Sequence, residues 1–447
     1  MAGRTARLSR QSALAQLAER IRTTQARIGV IGLGYVGLPL AVEFATEAFT
    51  VTGIDLDRQR VNSVNAGRSY IPDVTSETMG KRVRSKRLLA TSTYEHLASL
   101  DAIIICVPTP LRKTGEPDVS FILSAAKEIA AALRPGQLII LESTTYPGTT
   151  DEALLPMLEA GGLKVGKDFS LAFSPERIDP GNARYSTRSI PKVVGGMTPT
   201  CRRLAMALYG RVIERVVPVS STKVAEMVKL LENTFRAVNI GLVNEMALIC
   251  DRLGVNVWEV IDAAKTKPFG FMPFYPGPGI GGHCIPSDPM YLAWKARVHG
   301  FDAKFIQLAD QINRFMPHYV VEKITKALNA YRKSLNGSRI LLIGLAYKKD
   351  VNDTRDSPAF EIAQALDERG AEVAYHDPYV PTAQLNGHTS RSIALTAERL
   401  KRTDCVVILT DHSGVDYELI LRAAPLIVDT RNHYRDLSPR PARVIPL

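Results

Sequence analysis

Cys284 stands in the segment GIGGHCIPSDP, directly after Gly281, Gly282 and His283. Glycines at this point let the backbone approach a bound molecule closely. A thiol in so polar and turn-rich a segment reads as a nucleophile, the alternative being a structural cysteine in a loop. A thiolate nucleophile needs exposure and a lowered pKa. His283, Lys229 and backbone N–H groups are the candidate sources of that lowering. Lys229, Asn233 and Arg236 lie in AEMVKLLENTFRAVNIGLVNE. Spacings of four and three put them on one helical face. This is either a polar strip on a buried helix or an ordinary solvated face. On the first reading Lys229 acts as a base on a substrate hydroxyl or stabilises an oxyanion. SPERIDPGN offers Glu176, Arg177 and Asp179 after an apolar strand, with Glu176 as a candidate to orient or deprotonate a hydrolytic water.

Gly32, Gly34 and Gly37 form a G-x-G-x-x-G between the apolar RIGVI and a helical stretch. Such glycines make a tight turn, admit a pyrophosphate and let helix pack on strand. The helix N-terminus then presents free N–H groups to phosphate. Asp55 follows the next strand at about the 20-residue offset expected for a ribose-binding acid. A carboxylate there accepts from a 2′-hydroxyl and repels a 2′-phosphate, which favours NAD over NADP. Arg60 is close enough to reach the adenosine side. A cysteine working with NAD has a definite use. It adds to an aldehyde, the thiohemiacetal gives up a hydride, and water releases an acid from the thioester.

These residues need a frame. RIGVIGLG, VTGIDLD, IIICVPTP and LIILEST alternate with helical stretches, which implies a doubly wound parallel sheet. Residues 222–265 carry long helical periodicity, broken at Gly254. Residues 268–289 are dense in glycine and proline and read as a structured loop. RILLIGLAYKKD, EVAYHDP, CVVILTDH and LIVDTRN open a second α/β unit. The expected division is a basic helical extension over 1–26, an NAD-binding domain over 27–218, a helical central and dimerisation domain over 219–330, and a second α/β domain over 331–447.

The 447 residues are 45% hydrophobic and 23% charged, ordinary values for globular protein. No apolar run is long enough for a membrane span. The net charge of +11 comes from dispersed Lys and Arg without interleaved aromatics. This argues against a nucleic-acid surface and fits an anionic small substrate or no function at all. The basic N-terminal stretch reads as a solvated or packing helix. Cys106, Cys201, Cys250, Cys284 and Cys405 are odd in number, and no pair has metal-ligand spacing. A reducing cytoplasm and no metal are expected.

The blocks GVIGLGYVGLPLA, CVPTP, ESTTYPGTT, SPERIDPGN, AEMVKLLENTFRAVNI, PGPGIGGHCIPSDP and GLAYKKDVNDTRDSP occur in that order. With them the chain resembles the UDP-glucose/GDP-mannose dehydrogenase family from about residue 27 to 435. The resemblance implies a Rossmann NAD domain, a helical dimer-forming middle and a Rossmann-like C-terminal UDP-binding domain. It implies two successive NAD-dependent oxidations at C6 through a cysteine thioester, and a homodimer or higher homo-oligomer. Cys284 matches the nucleophile. Lys229 and Asn233 match residues that act as base or oxyanion stabilisers, and Asp288 one that holds a water or Lys229. Glu176 and Thr144 match the positions that handle water. Tyr35, Val36, Asp55, Thr109 and Thr144 match NAD contacts, and Arg355 an arginine on the nicotinamide side. Tyr347, Lys348 and Arg431 match nucleotide-sugar contacts. Arg177, Ile178, Arg236 and Gly281 fall in substrate blocks.

His283 and Ser287 stand where UDP-glucose enzymes of this family usually carry Ser and Lys. The run HCIPSDPMYLAWKAR resembles the branch acting on UDP-N-acetylhexosamines. Ile-Pro after Cys284 and KTKPFGFMPFYPGPG resemble enzymes of UDP-N-acetylglucosamine. UDP-N-acetylmannosamine, UDP-N-acetylgalactosamine and UDP-glucose are the alternatives. Two other classes stay open: a simple hydroxyacid dehydrogenase, which needs no cysteine, and a nucleotide-sugar sensor that keeps NAD as a ligand. The implied product role is precursor supply for surface polysaccharide or O-antigen.

Overall fold

The computed structural model describes residues 12–71, 73–112, 116–178, 185–437 and 439–447. The first eleven residues of the basic extension, and Asp179, lie outside them. The chain separates into two compact units, dividing between Glu232 and Asn233.

Among the described residues the first unit holds eight strands: β1 Arg27–Ile31, β2 Thr50–Ile54, β3 Leu88–Thr91, β4 Ala102–Ile105, β5 Leu138–Leu141, β6 Ser170–Phe173, β7 Lys192–Gly196 and β8 Val216–Pro218. Their order is β3-β2-β1-β4-β5-β6-β7-β8. Every pairing is parallel except β6 with β7. The expectation of a parallel sheet is therefore corrected at one step. Side chains alternate between two faces, so a strand apolar throughout feeds two cores. Ala102 and Ile104 of β4 join one core, and Ile103 and Ile105 the other. Helix α1 (Ala13–Arg22) buries Leu14, Leu17 and Ile21 in the first core, and its Arg20 pairs with Asp101 at 3.2 Å. Of the two readings of the basic stretch, its described part is a packing helix. Helix α2 is Gly37–Thr46 and helix α3 is Pro199–Tyr209.

Helix α4 (Thr222–Leu253) runs unbroken through Gly241 and ends at Gly254, whose φ is +68°. Gly241 has a packing reason. A Cβ there would lie 3.1 Å from the Cα of Ala309, in helix α6 (Lys304–Ala330). Between them, helix α5 covers Asp288–Val298.

The second unit carries β9 Arg339–Ile343, β10 Glu372–His376, β11 Thr382–Leu385, β12 His388–Arg391, β13 Cys405–Ile408, β14 Ile427–Asp429 and β15 Val444–Pro446. Five of these form a parallel sheet in the order β10-β9-β13-β14-β15, and β11–β12 form a hairpin. Alternation again feeds two cores, with Ile340 and Leu342 in one and Leu341 and Ile343 in the other. Among the described residues no helix is long and apolar enough to cross a membrane.

Candidate active site

Strand order reverses between β1 and β4, so ligands are expected beyond the carboxyl ends of these strands. The residues singled out in the first unit gather at that edge. The glycine turn follows β1, Thr109 follows β4, Thr144 follows β5, and Glu176 with Arg177 and Ile178 follows β6. Gly32 has φ +92°, and a Cβ there would lie 2.5 Å from the Cys106 carbonyl oxygen. A Cβ on Gly37 would fall 1.9 Å from the Gly32 oxygen, whereas Gly34 has open space beside it. Val36 is the N-cap of α2, and no side chain caps that helix. Of its first residues, Leu38 donates to the Gly34 carbonyl at 3.1 Å and Pro39 has no N–H, so the N–H groups of the turn up to Gly37 are the ones that can face an anion. Tyr35 is partly buried and packs on the core beneath.

Asp55 binds this turn together. Its carboxylate accepts from Leu33 N at 2.8 Å, Asp57 N at 2.9 Å and Arg60 Nη1 at 3.3 Å. A carboxylate offers about four acceptor sites, so a place remains for a ribose hydroxyl. Arg60 engages the acid itself. The Tyr70 hydroxyl donates to the Leu33 carbonyl at 2.7 Å. An open Gly34, an uncapped helix and an anchored acid fit NAD. When bound, NAD accepts a hydride.

Glu176 is buried and ion-paired. Its Oε1 accepts from the backbone N of Arg177 at 2.7 Å and of Ile178 at 2.8 Å. Its Oε2 lies 2.8 Å from Lys192 Nζ. The Arg177 guanidinium donates to both carboxylate oxygens of Glu232, at 2.6 and 3.2 Å. Lys229 is buried on α4, and Arg236, two turns on, is exposed. The Lys229–Asn233–Arg236 strip is thus buried at one end and solvated at the other.

In the second unit Cys284 is exposed, while the other four cysteines are buried. Its carbonyl accepts from Ser287 N at 3.2 Å and Asp288 N at 2.8 Å, placing Cys284 at the N-terminal end of α5. Burial first, then the Arg355 charge, holds the imidazole of the adjacent His283 below its ordinary value. Buried Asp288 accepts from the Asn233 amide, joining two candidates. The loop before Cys284 lies on residues that follow β9 and β14. A Cβ on Gly281 would lie 2.6 Å from that of Tyr347, and one on Gly277 would lie 2.9 Å from Arg431 Nη1. Gly282 N donates to the Arg355 carbonyl at 2.9 Å. The Arg355 side chain pairs with Asp353 at 2.7 Å. Lys348 is partly exposed beside Tyr347.

Asp377, which sequence reasoning passed over, does in this unit what Asp55 does in the first. It ends the strand next to the turn and accepts from Leu345 N at 2.7 Å and Ala346 N at 3.0 Å. Gly344, directly before them, has φ +87°. Asp377 also accepts from Tyr379 N and Val380 N, and pairs with buried His412 at 3.2 Å. Burial works to raise its pKa, but His412 and the backbone N–H groups hold it below the usual value. The stability it contributes is present above the unfolded pKa and is lost as pH falls through the folded one. Asp377→Ala is expected to cost about 3 kcal/mol at neutral pH by leaving buried donors without an acceptor. The gap between the melts of the two proteins should narrow, by its charge-dependent part, as pH falls below the usual carboxylate range; a gap independent of pH would refute this.

The signals for the missed residues were faint: Lys192 opens an apolar strand, Glu142 follows LIIL, and Asp377 follows EVAYH.

A glycine turn that fits a dinucleotide, and an exposed thiol on a loop against a second α/β sheet, define an NAD-dependent oxidoreductase with a cysteine available. Family models for the UDP-glucose/GDP-mannose dehydrogenases match the NAD binding domain over residues 26–213, the central domain over 223–315 and the UDP binding domain over 341–436. The chain belongs to the UDP-glucose/GDP-mannose dehydrogenase family. It is 38% identical to the UDP-N-acetyl-D-glucosamine 6-dehydrogenase of Pseudomonas aeruginosa over 79% of this chain and 83% of that protein. It is 36% identical to an NDP-N-acetyl-D-galactosaminuronic acid dehydrogenase of Ralstonia nicotianae over 86% and 90%. The structure of a UDP-D-ManNAc dehydrogenase from Pyrococcus horikoshii superposes with TM-score 0.85 at 35% identity, covering 94% of this chain and 98% of that one. These relatives divide among three sugars. They support an NAD-dependent UDP-sugar dehydrogenase and leave the sugar to be argued.

Proposed function

We propose that this protein oxidises C6 of a UDP-N-acetylhexosamine, UDP-N-acetylglucosamine first among them, to the carboxylate in two NAD-dependent steps. One observation carries the reading: the exposed cysteine lies on a glycine loop seated on Tyr347 and Arg431. The Pseudomonas relative favours the gluco epimer, as do Ile285 and Pro286 after Cys284.

Lys229 takes the C6 hydroxyl proton as the first hydride leaves. Cys284 Sγ then adds to the aldehyde, and Lys229 and Asn233 stabilise the oxygen. Loss of a second hydride gives a thioester. Water, handled by Glu176 and Thr144, adds to the carbonyl carbon, the C–S bond breaks and the thiolate leaves. Asp288 orients Asn233. The turn around Gly32, Gly34 and Gly37, with Tyr35, Val36, Asp55, Thr109 and Arg355, holds NAD. Tyr347, Lys348 and Arg431 hold the nucleotide sugar, with Arg177, Ile178, Arg236 and Gly281 completing its site. The functional division follows 27–218, 219–330 and 331–447. Exposed Met227, Leu231, Phe235, Leu242 and Ile249 on α4 form the surface we assign to a second copy of the chain. The enzyme works in the cytoplasm, supplying precursor for surface polysaccharide.

The test counts NADH formed per sugar consumed for the gluco, manno and galacto UDP-N-acetylhexosamines and UDP-glucose. Two NADH per UDP-N-acetylglucosamine, with a uronate product, is the expected result. Two from another sugar alone would move the substrate and keep the chemistry. One or none would refute the thioester route.

A further inference from the structure

Behind Glu176 lies a buried charged cluster that none of the assignments above uses. Lys192 Nζ bridges two carboxylates, 2.8 Å from Glu176 Oε2 and 3.1 Å from Glu142 Oε2. Glu142 also accepts from the Tyr209 hydroxyl. Glu142, Lys192 and Tyr209 are each less than 5% exposed. The single antiparallel step of the sheet creates this contact. Its register pairs Ala172 with Gly196 and Phe173 with Gly195. Carried on by three residues, it sets Glu176 opposite Lys192 at the carboxyl edge.

A buried ammonium needs one counter-charge, and this one has two. The surplus has a use if one carboxylate is neutralised during turnover. We infer that Lys192 and Glu142 are positioning residues for the water-dependent step: Lys192 orients Glu176 as an ionised acceptor, and Glu142 keeps the ammonium paired when Glu176 takes the proton. This rests on the reading of Glu176 as the group that serves the hydrolytic water. In that step the water oxygen bonds to the thioester carbon and one water proton passes to Glu176. The C–S bond to Cys284 breaks and its electron pair leaves with the thiolate. The cluster passes from two carboxylates on one ammonium to one on one, and Glu176 later returns the proton to solvent.

The electrostatics agree with the geometry. The groups facing Glu176 are Lys192 of β7, Glu142 after β5, Tyr209 of α3 and Cys106 after β4. Arg177 beside it is paired with Glu232 of α4. Burial pushes the Glu142 carboxyl up. Burial acts on Glu176 too, but the Lys192 charge and the two backbone N–H groups hold it below its usual value. Two acids with environments that separate their pKa values make one a base and the other a bystander charge.

The test is single-turnover hydrolysis of the thioester on Cys284, followed by intact mass from pH 5 to 9, with NADH release recorded separately. Lys192→Met leaves two adjacent buried carboxylates, so the pKa of Glu176 rises. The acidic limb of hydrolysis should move up by about one pH unit or more. Glu142→Gln removes the like charge and strands the ammonium on proton transfer. Its acidic limb should move down, with the plateau rate reduced about 10²-fold. Lys192→Arg should restore the parent profile. The first hydride transfer should keep its rate in all three. If Lys192→Met does not fold, the isosteric Glu142→Gln and Lys192→Arg still decide. Limbs that stay in place, or equal losses in hydride transfer and hydrolysis, would reduce the cluster to a core ion pair. Glu176→Gln is the separate control. Parent-rate hydrolysis in that variant would overturn the assignment of Glu176 itself, and this inference with it.

Discussion

Cys284→Ser should release one NADH per active site and then stall, with uronate formation reduced about 10³-fold or more. The size follows from dividing the reaction at the aldehyde. The alcohol-to-aldehyde step needs a base and a hydride acceptor and makes no bond to sulfur. The aldehyde-to-acid step needs a tetrahedral carbon bearing both hydrogen and an electron-releasing heteroatom. The thiol provides that carbon directly. A serine hydroxyl is a far weaker nucleophile near neutral pH and makes an ester that water opens slowly. The variant should fold normally, because Cys284 is exposed and its backbone carbonyl, which the substitution keeps, accepts from Ser287 and Asp288 at the turn into α5. Rapid-quench product analysis with NADH absorbance checks this. A simple hydroxyacid dehydrogenase would lose nothing, and a sensor would show no turnover in either protein. Full uronate production by Cys284→Ser would therefore exclude the thioester.

The strands whose apolar runs are short and continuous were legible because each feeds two cores, as Ala102–Ile105 and Arg339–Ile343 do. The glycine turn was legible because three separate steric demands converge on one spacing. Cys284 was legible by contrast with its neighbours: a small hydrophobe has no reason to sit among Gly, Pro, Ser and Asp. The antiparallel β6–β7 step was not legible, since local patterning carries no strand direction. With it went Lys192, whose neighbours read as an ordinary strand and whose partners stand 16 and 50 residues away. Sequence shows the proximity of His283 to Cys284 but not the burial that lowers its pKa. Asp377 escaped because the second glycine turn has one positive-φ glycine, Gly344, instead of a three-glycine spacing. The resemblance named Tyr347 and Arg431 as nucleotide-sugar contacts and Arg355 as an arginine on the nicotinamide side; that the cysteine loop lies against them was legible only in the fold.

Gly34→Ala should weaken NAD by about 10²-fold while leaving the melting temperature unchanged, and Gly37→Ala should lose both NAD and stability. The two glycines sit three residues apart and differ in what a methyl would meet. At Gly37 the new Cβ would fall 1.9 Å from the Gly32 carbonyl oxygen, a backbone atom fixed by β1 and by its own turn. No rotamer relieves that, so α2 must move off the turn. The N–H groups of the turn then no longer converge, and each hydrogen bond to the pyrophosphate lost is about 1.5–3 kcal/mol. At Gly34 the new Cβ meets nothing within 4 Å, and its φ is not in the left-handed region. The fold therefore has no reason to object. The only body with a reason to object is the pyrophosphate that must approach the backbone there. Calorimetric titration with NAD, paired with melts in the presence and absence of UDP, separates the cases. UDP should still protect Gly34→Ala against heat, because Gly34 takes no part in the second sheet. If Gly34→Ala binds NAD as tightly as the parent, the open space beside the turn is not the pyrophosphate cradle.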